Sequence, residues 1–63
     1  MFPRILQVCE TVTFDGRRWT VESDGNGKIL ELYLVDRPQD IGVPFDRTSF
    51  VAKGIAKKLG LTL

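Results

Sequence analysis

The chain has 63 residues, nine basic and eight acidic side chains, a net charge of +1, one cysteine and no histidine. A chain of this length buries only about 60% of the surface it exposes when unfolded, so one marginal core is all it can build. A lone Cys9 cannot close an internal disulfide, and a structural zinc site needs about four Cys or His ligands, so the two usual staples of small domains are excluded.

What remains is a single domain over residues 1–63 that relies on an efficient core, a second copy of itself or a bound partner. Its apolar stretches fall far short of the roughly 20 residues that cross a bilayer. The Met1-Phe2-Pro3-Arg4 start lacks the apolar run of a secretory leader. Together with the single thiol, this predicts a cytoplasmic protein. The near-balanced charge argues against a dedicated binder of phosphate backbones, which would carry a clear basic excess.

Residues 5–14 are rich in β-branched side chains, and Leu6, Val8, Val12 and Phe14 alternate onto one face, with Glu10 as the exception. Asp15-Gly16 suits the positive φ angles of a tight hairpin turn. Arg17–Ser23 alternates again, with Trp19 and Val21 on one side and Arg18, Thr20 and Glu22 on the other. Asp24-Gly25-Asn26-Gly27 is the strongest turn signal in the chain. Over residues 28–36 the pattern predicts a third strand with Leu30, Leu32 and Leu34 facing the core and Ile29, Glu31, Tyr33 and Val35 facing away. Pro38 breaks that strand, and residues 41–45 offer a short edge strand limited by Pro44.

A helix is predicted from near residue 47, with Asp46, Thr48 and Ser49 each supplying an N-cap oxygen. Val51, Ala52, Ile55, Ala56 and Leu59 form its apolar stripe. Lys57 and Lys58 oppose the negative end of the helix dipole, and Gly60 ends the helix. Gly54, costly inside a helix, suggests close approach to the sheet, and Leu61-Thr62-Leu63 is expected to fold back on the core. The fold class is therefore α+β: a three- to four-stranded antiparallel β-meander packed on one C-terminal α-helix.

Catalytic chemistry finds little support in these residues. Histidine, the commonest general acid–base, is missing. Most carboxylates fall in turns or caps, where they bond the local backbone. Glu22 and Glu31 are expected as neighbours on the open face, a geometry that suits a metal or an acid–base pair, but surface pairing with Arg18 or Lys28 is the simpler expectation. Cys9 has no cation or base near it in sequence to form a thiolate, and is expected half-buried in its strand. Asp24-Gly25-Asn26-Gly27-Lys28 lacks the spacing and the strand-to-helix context of a phosphate-binding loop. The chain is thus expected to be no enzyme and to need no cofactor or metal.

Three strands followed by a helix, with Gly16-Arg17-Arg18-Trp19 opening the second strand, resemble the arm-type DNA-binding domain of phage integrases over roughly residues 12–59. That resemblance implies a sheet face reading a DNA groove. Glu22 and Glu31 on the corresponding face would be repelled by phosphates, and Ile29, Tyr33 and Val35 would gain little there. The tail from Val43-Pro44 to Lys53-Gly54-Ile55-Ala56-Lys57-Lys58-Leu59-Gly60-Leu61 looks similar to the end of HicA-type RNA-cleaving toxins. Those depend on a catalytic histidine and begin with a helix, and this chain has neither, so ribonuclease activity is not implied.

Two functions stay open at this point. The first is a protein-binding regulator, inhibitor or adaptor, or a homodimer, acting through Ile29, Glu31, Tyr33 and Val35 on the open sheet face. Tyrosine is a frequent interface anchor, and a contiguous apolar row marks an interaction site, unless a fourth strand, a loop or Phe2 covers it. The second is nucleic-acid binding through a basic helix ridge of Lys53, Lys57 and Lys58, helped by Arg17, Arg18 or Arg47. No membrane or small-molecule partner is suggested.

Overall fold

The computed structural model describes residues 8–63. Strands β1 (Val8–Phe14), β2 (Arg17–Ser23) and β3 (Ile29–Leu34) form an antiparallel meander in the order β1-β2-β3, and helix α1 (Phe50–Leu59) follows. This is the predicted α+β architecture with three strands. The expectations for Phe2 and Leu6 lie outside the described residues.

Local chemistry sets each boundary. Asp15 (φ 54°) and Gly16 (φ 74°) both take the left-handed conformation that a two-residue hairpin turn needs to match strand twist. At the second turn, Asp24 Oδ1 accepts the amides of Asn26 at 2.8 Å and Lys28 at 2.9 Å. These bonds hold its carboxyl below the usual range, the Lys28 amide contributing most. The helix starts three residues later than expected: Ser49 is its N-cap, and Ser49 Oγ accepts the Ala52 amide at 3.2 Å. Asp46 instead ties up the preceding turn by accepting from the Thr48 amide and hydroxyl. At the other end Gly60 (φ 70°) allows the Leu61 amide to reach back to the Ala56 carbonyl at 2.8 Å, the Schellman closure.

One irregularity reorders the sheet faces. Glu22 pairs with Glu31, but the next β2 residue, Ser23, pairs with Ile29, so Leu30 is the extra residue of a β-bulge. Strict alternation would put Ile29 on the same face as Glu31 and Tyr33. The bulge turns it to the other side, where it is completely buried. The core-facing rows are Val8–Ser23–Ile29, Glu10–Val21–Leu32 and Val12–Trp19–Leu34. Val12, Val21, Ile29, Leu32, Ala52, Ile55 and Ala56 form the buried cluster, with Trp19, Val51 and Leu59 half-buried against it. Leu30 and Leu34, expected in the core, are only half-buried: Leu30 is unpaired in the bulge, and Leu34 lies at the strand end beside a surface groove.

The helix lies close against β1. A Cβ at Gly54 would overlap the Phe14 ring, so the glycine expected to permit close approach does so. Lys58 Nζ donates to the Thr13 carbonyl at 2.7 Å. The tail folds back as expected, onto the outer edge of β3: the Thr62 amide donates to Gly27 O and Thr62 O accepts the Ile29 amide, both at 2.8 Å. Residues 41–45 are not a strand. A single 3-10 turn at Pro38–Asp40, held by an Arg37–Asp40 ion pair of 3.3 Å, leads into a turn and irregular backbone. Pro44 supplies no ladder donor, and the β3 edge at Ile29 is already taken by Thr62.

Candidate functional site

The face of the sheet away from the helix carries three cross-strand rows: Cys9–Glu22–Glu31, Thr11–Thr20–Tyr33 and Thr13–Arg18–Val35. Val35 joins the last row because its amide donates to Arg18 O at 3.0 Å. Tyr33 thus stands at the β3 edge of the middle row, between a pair of carboxylates and an apolar–basic pair. Helix α1 lies on the opposite face, but the 3-10 turn contacts β3, and Tyr33 lines a groove with Arg37, Asp40, Val43 and Pro44. The segment 37–46 runs beside β3, where Gly42 passes close to Glu31 Oε1 and Phe45 turns in to the core, and Val35 remains 38% exposed.

Of the four candidate residues expected on the open face, Glu31, Tyr33 and Val35 share the face away from the helix, and Ile29, expected in an apolar row with Tyr33 and Val35, does not. Ile29 belongs to the core because of the Leu30 bulge, a feature that simple alternation does not reveal. Thr20 is the residue that sequence reasoning left out: it sits directly opposite Tyr33 on β2.

The electrostatics of this face are acidic at one end. Glu22 and Glu31 are directly opposite in register, and among the described residues neither forms an ion pair, which corrects the expected pairing with Arg18 or Lys28. A hydrogen bond to Glu31, then partial desolvation and the Glu31 charge, hold the Glu22 carboxyl above its ordinary value of 4.5. Loss of solvent around Tyr33, followed by the nearby acidic groups, raises its phenol as well. Cys9, in the same row as the two glutamates, is exposed rather than half-buried, because β1 is an edge strand among the described residues and none of them packs over it on the outer face. Among the described residues, no three Cys, Asp or Glu side chains converge as a metal-binding group.

The basic residues do not assemble into one ridge. Arg47 Nη1 donates to the Ile29 carbonyl at 2.8 Å, and its guanidinium stacks 4.7 Å from the Phe45 ring centre, so it seals the β3 edge. Lys58 is engaged with Thr13 O. Lys53 and Lys57 are exposed on α1, while Arg17 and Arg18 line a 430 Å³ groove at the first hairpin with Val35 and Asp36. No described helix is long and apolar enough to cross a membrane. No known protein family, curated protein or solved structure matches the chain.

Proposed function

We propose that this protein is a small non-catalytic module that binds a protein partner through the outer sheet face, with Tyr33 as the anchor and Glu31, Thr20 and Val35 around it. The observation that carries this reading is Tyr33's position. It is a half-buried aromatic on the outer face of the three-stranded sheet, opposite Thr20 and beside a groove that it shares with Arg37, Asp40, Val43 and Pro44. Tyrosine combines contact area with a polar tip and loses little entropy on immobilisation, which is why it recurs at binding hot spots. The adjacent Glu22–Glu31 pair favours a partner with a basic or hydrogen-bond-donating contact, because a donor placed between the carboxylates would relieve their repulsion. The same pair repels phosphate, and the dispersal of Arg47 and Lys58 into structural contacts weakens the nucleic-acid alternative. A regulator, inhibitor or adaptor acting in the cytoplasm fits this chemistry.

The test is parallel affinity capture from host lysate with wild-type protein and with Tyr33→Ala/Val35→Ser, each with and without nuclease. The reading expects a protein that survives nuclease and is lost with the double substitution while the domain stays folded. Capture that depends on nucleic acid, or that is indifferent to Tyr33 and Val35, would contradict it.

A further inference from the structure

The two edges of the sheet are treated differently, and the difference points to a second copy of this chain. The β3 edge is closed at Ile29 by Thr62 and Arg47. On the β1 edge Lys58 bonds the Thr13 carbonyl, while the outward groups of Cys9 and Thr11 have no partner among the described residues. Arg18 directs its carbonyl toward β3, so its β1 partner Thr13 must direct its backbone groups away from β2, as the Lys58 contact to Thr13 O confirms. By alternation, Cys9 and Thr11 also present an N–H and a C=O outward. Exposed edges are normally blunted by proline, lysine, a bulge or a short strand. β1 is seven residues long and regular in its pairing, with β-branched Thr11, Val12 and Thr13 in sequence and Glu10 its single charge.

We propose that two copies pair antiparallel through β1, about a two-fold axis at Thr11, to give one continuous six-stranded sheet. This register is selected by what it brings together. Thr11 faces the partner's Thr11, and Cys9 faces the partner's Thr13, so the outward groups of Cys9 and Thr11 find ladder partners. The Thr13 carbonyl accepts the amide of the partner's Cys9 on its second lone pair, beside Lys58. On the helix side, Val8 (43% exposed) comes opposite the partner's Phe14. There Phe50, 72% exposed and tilted 51° to the Phe14 ring at 5.4 Å between ring centres, would cover it. Glu10 comes opposite the partner's Val12, within reach of Lys58 of the partner subunit, which already lies at Thr13 O. The two Glu10 side chains sit diagonally across the axis, each with a lysine to neutralise it. Phe14, Gly54 and Lys58 show that the helix crosses beneath the Phe14 end of β1. The two-fold therefore places the helices at opposite ends of the shared ladder, about 20 Å apart at 3.3 Å per residue, and they do not collide. An isologous contact of this kind is self-complementary and closes at two subunits. It is independent of the Tyr33 reading, since it uses the opposite edge.

Sedimentation equilibrium of the full chain up to millimolar concentration should give a monomer–dimer equilibrium. Thr11→Pro, which removes an outward N–H with no bond among the described residues, should leave a folded monomer. Thr13→Cys should form disulfide-linked dimers with Cys9 on mild oxidation, since facing residues of a hydrogen-bonded pair have Cα atoms about 5.5 Å apart, inside the disulfide range. The wild-type Cys9 pair, about 13 Å apart in this register, should not. Glu10→Lys and Lys58→Glu should each weaken the dimer several-fold, and their combination should restore it. A monomeric mass at millimolar concentration, a dimer that persists in Thr11→Pro, or no cross-linking of Thr13→Cys beyond wild type would overturn the proposal.

Discussion

Glu22 shows how a single register position shapes the behaviour of the surface. Its carboxyl binds a proton more tightly in the folded chain than in the unfolded one, because a protonated Glu22 can bond Glu31 across the strands. Its contribution to stability is therefore present at acid pH and is lost as pH rises from its ordinary value of 4.5 through the raised folded value. Asp24 and Asp46 work in the opposite sense: backbone and hydroxyl donors depress their pKa values, so their contribution is present above the ordinary carboxylate range and lost as pH falls through the depressed values. Glu22→Gln should raise the thermal midpoint at neutral pH and flatten its decline between mildly acid and neutral pH. Asp24→Ala should lower the midpoint at neutral pH and have little effect below the depressed value. Thermal unfolding across that pH range checks both. The turn role of Asp24 was legible from its Asp-Gly-Asn-Gly setting. The Glu22–Glu31 confrontation was legible as adjacency but not as an unpaired couple, since side-chain partners depend on register.

At the scale of elements, the hairpin turns, the helix with its apolar stripe and the Gly60 stop follow from local preferences that tertiary packing did not override. The places where alternation failed are non-local. The bulge at Leu30 comes from fitting β3 to a β2 that ends in the Asp24 turn, while Arg47 and Thr62 hold the outer edge at Ile29. Nothing within residues 28–36 announces it, so Ile29 was assigned to the wrong face and Leu30 to the core. The helix start near residue 47 differs for a related reason: Asp46, Thr48 and Ser49 are all competent caps, and Asp46 and Thr48 bond each other in the preceding turn, which leaves Ser49 as the cap.

Two substitutions test these contacts. Gly54→Ala gains about 1 kcal/mol of intrinsic helix propensity. It should nonetheless destabilise the domain, because overpacking against the Phe14 ring costs about 1–3 kcal/mol. Phe14→Leu in the same chain should recover part of the loss, which a double-mutant cycle by urea unfolding would show. Ser49→Ala should cost about 1 kcal/mol by removing the helix cap.

At the scale of the whole molecule, seven of the described residues form the buried apolar core, two of them alanines, and they support a sheet whose outer face no described helix or strand covers and whose β1 edge no described strand extends. The two proposals use distinct surfaces: the protein-binding reading uses Tyr33 on the outer face, and the dimer uses the β1 edge. The account depends most on the division of β3 by its bulge, with Ile29 inside and Tyr33 and Val35 outside. Equilibrium unfolding of Ile29→Ala beside Tyr33→Ala/Val35→Ser measures this division directly. Ile29→Ala is expected to lose about 3 kcal/mol, a large part of the stability of so small a domain. The double substitution on the outer face is expected to lose about 1 kcal/mol or less. Equal losses in the two variants, or a double variant that fails to fold, would contradict the account.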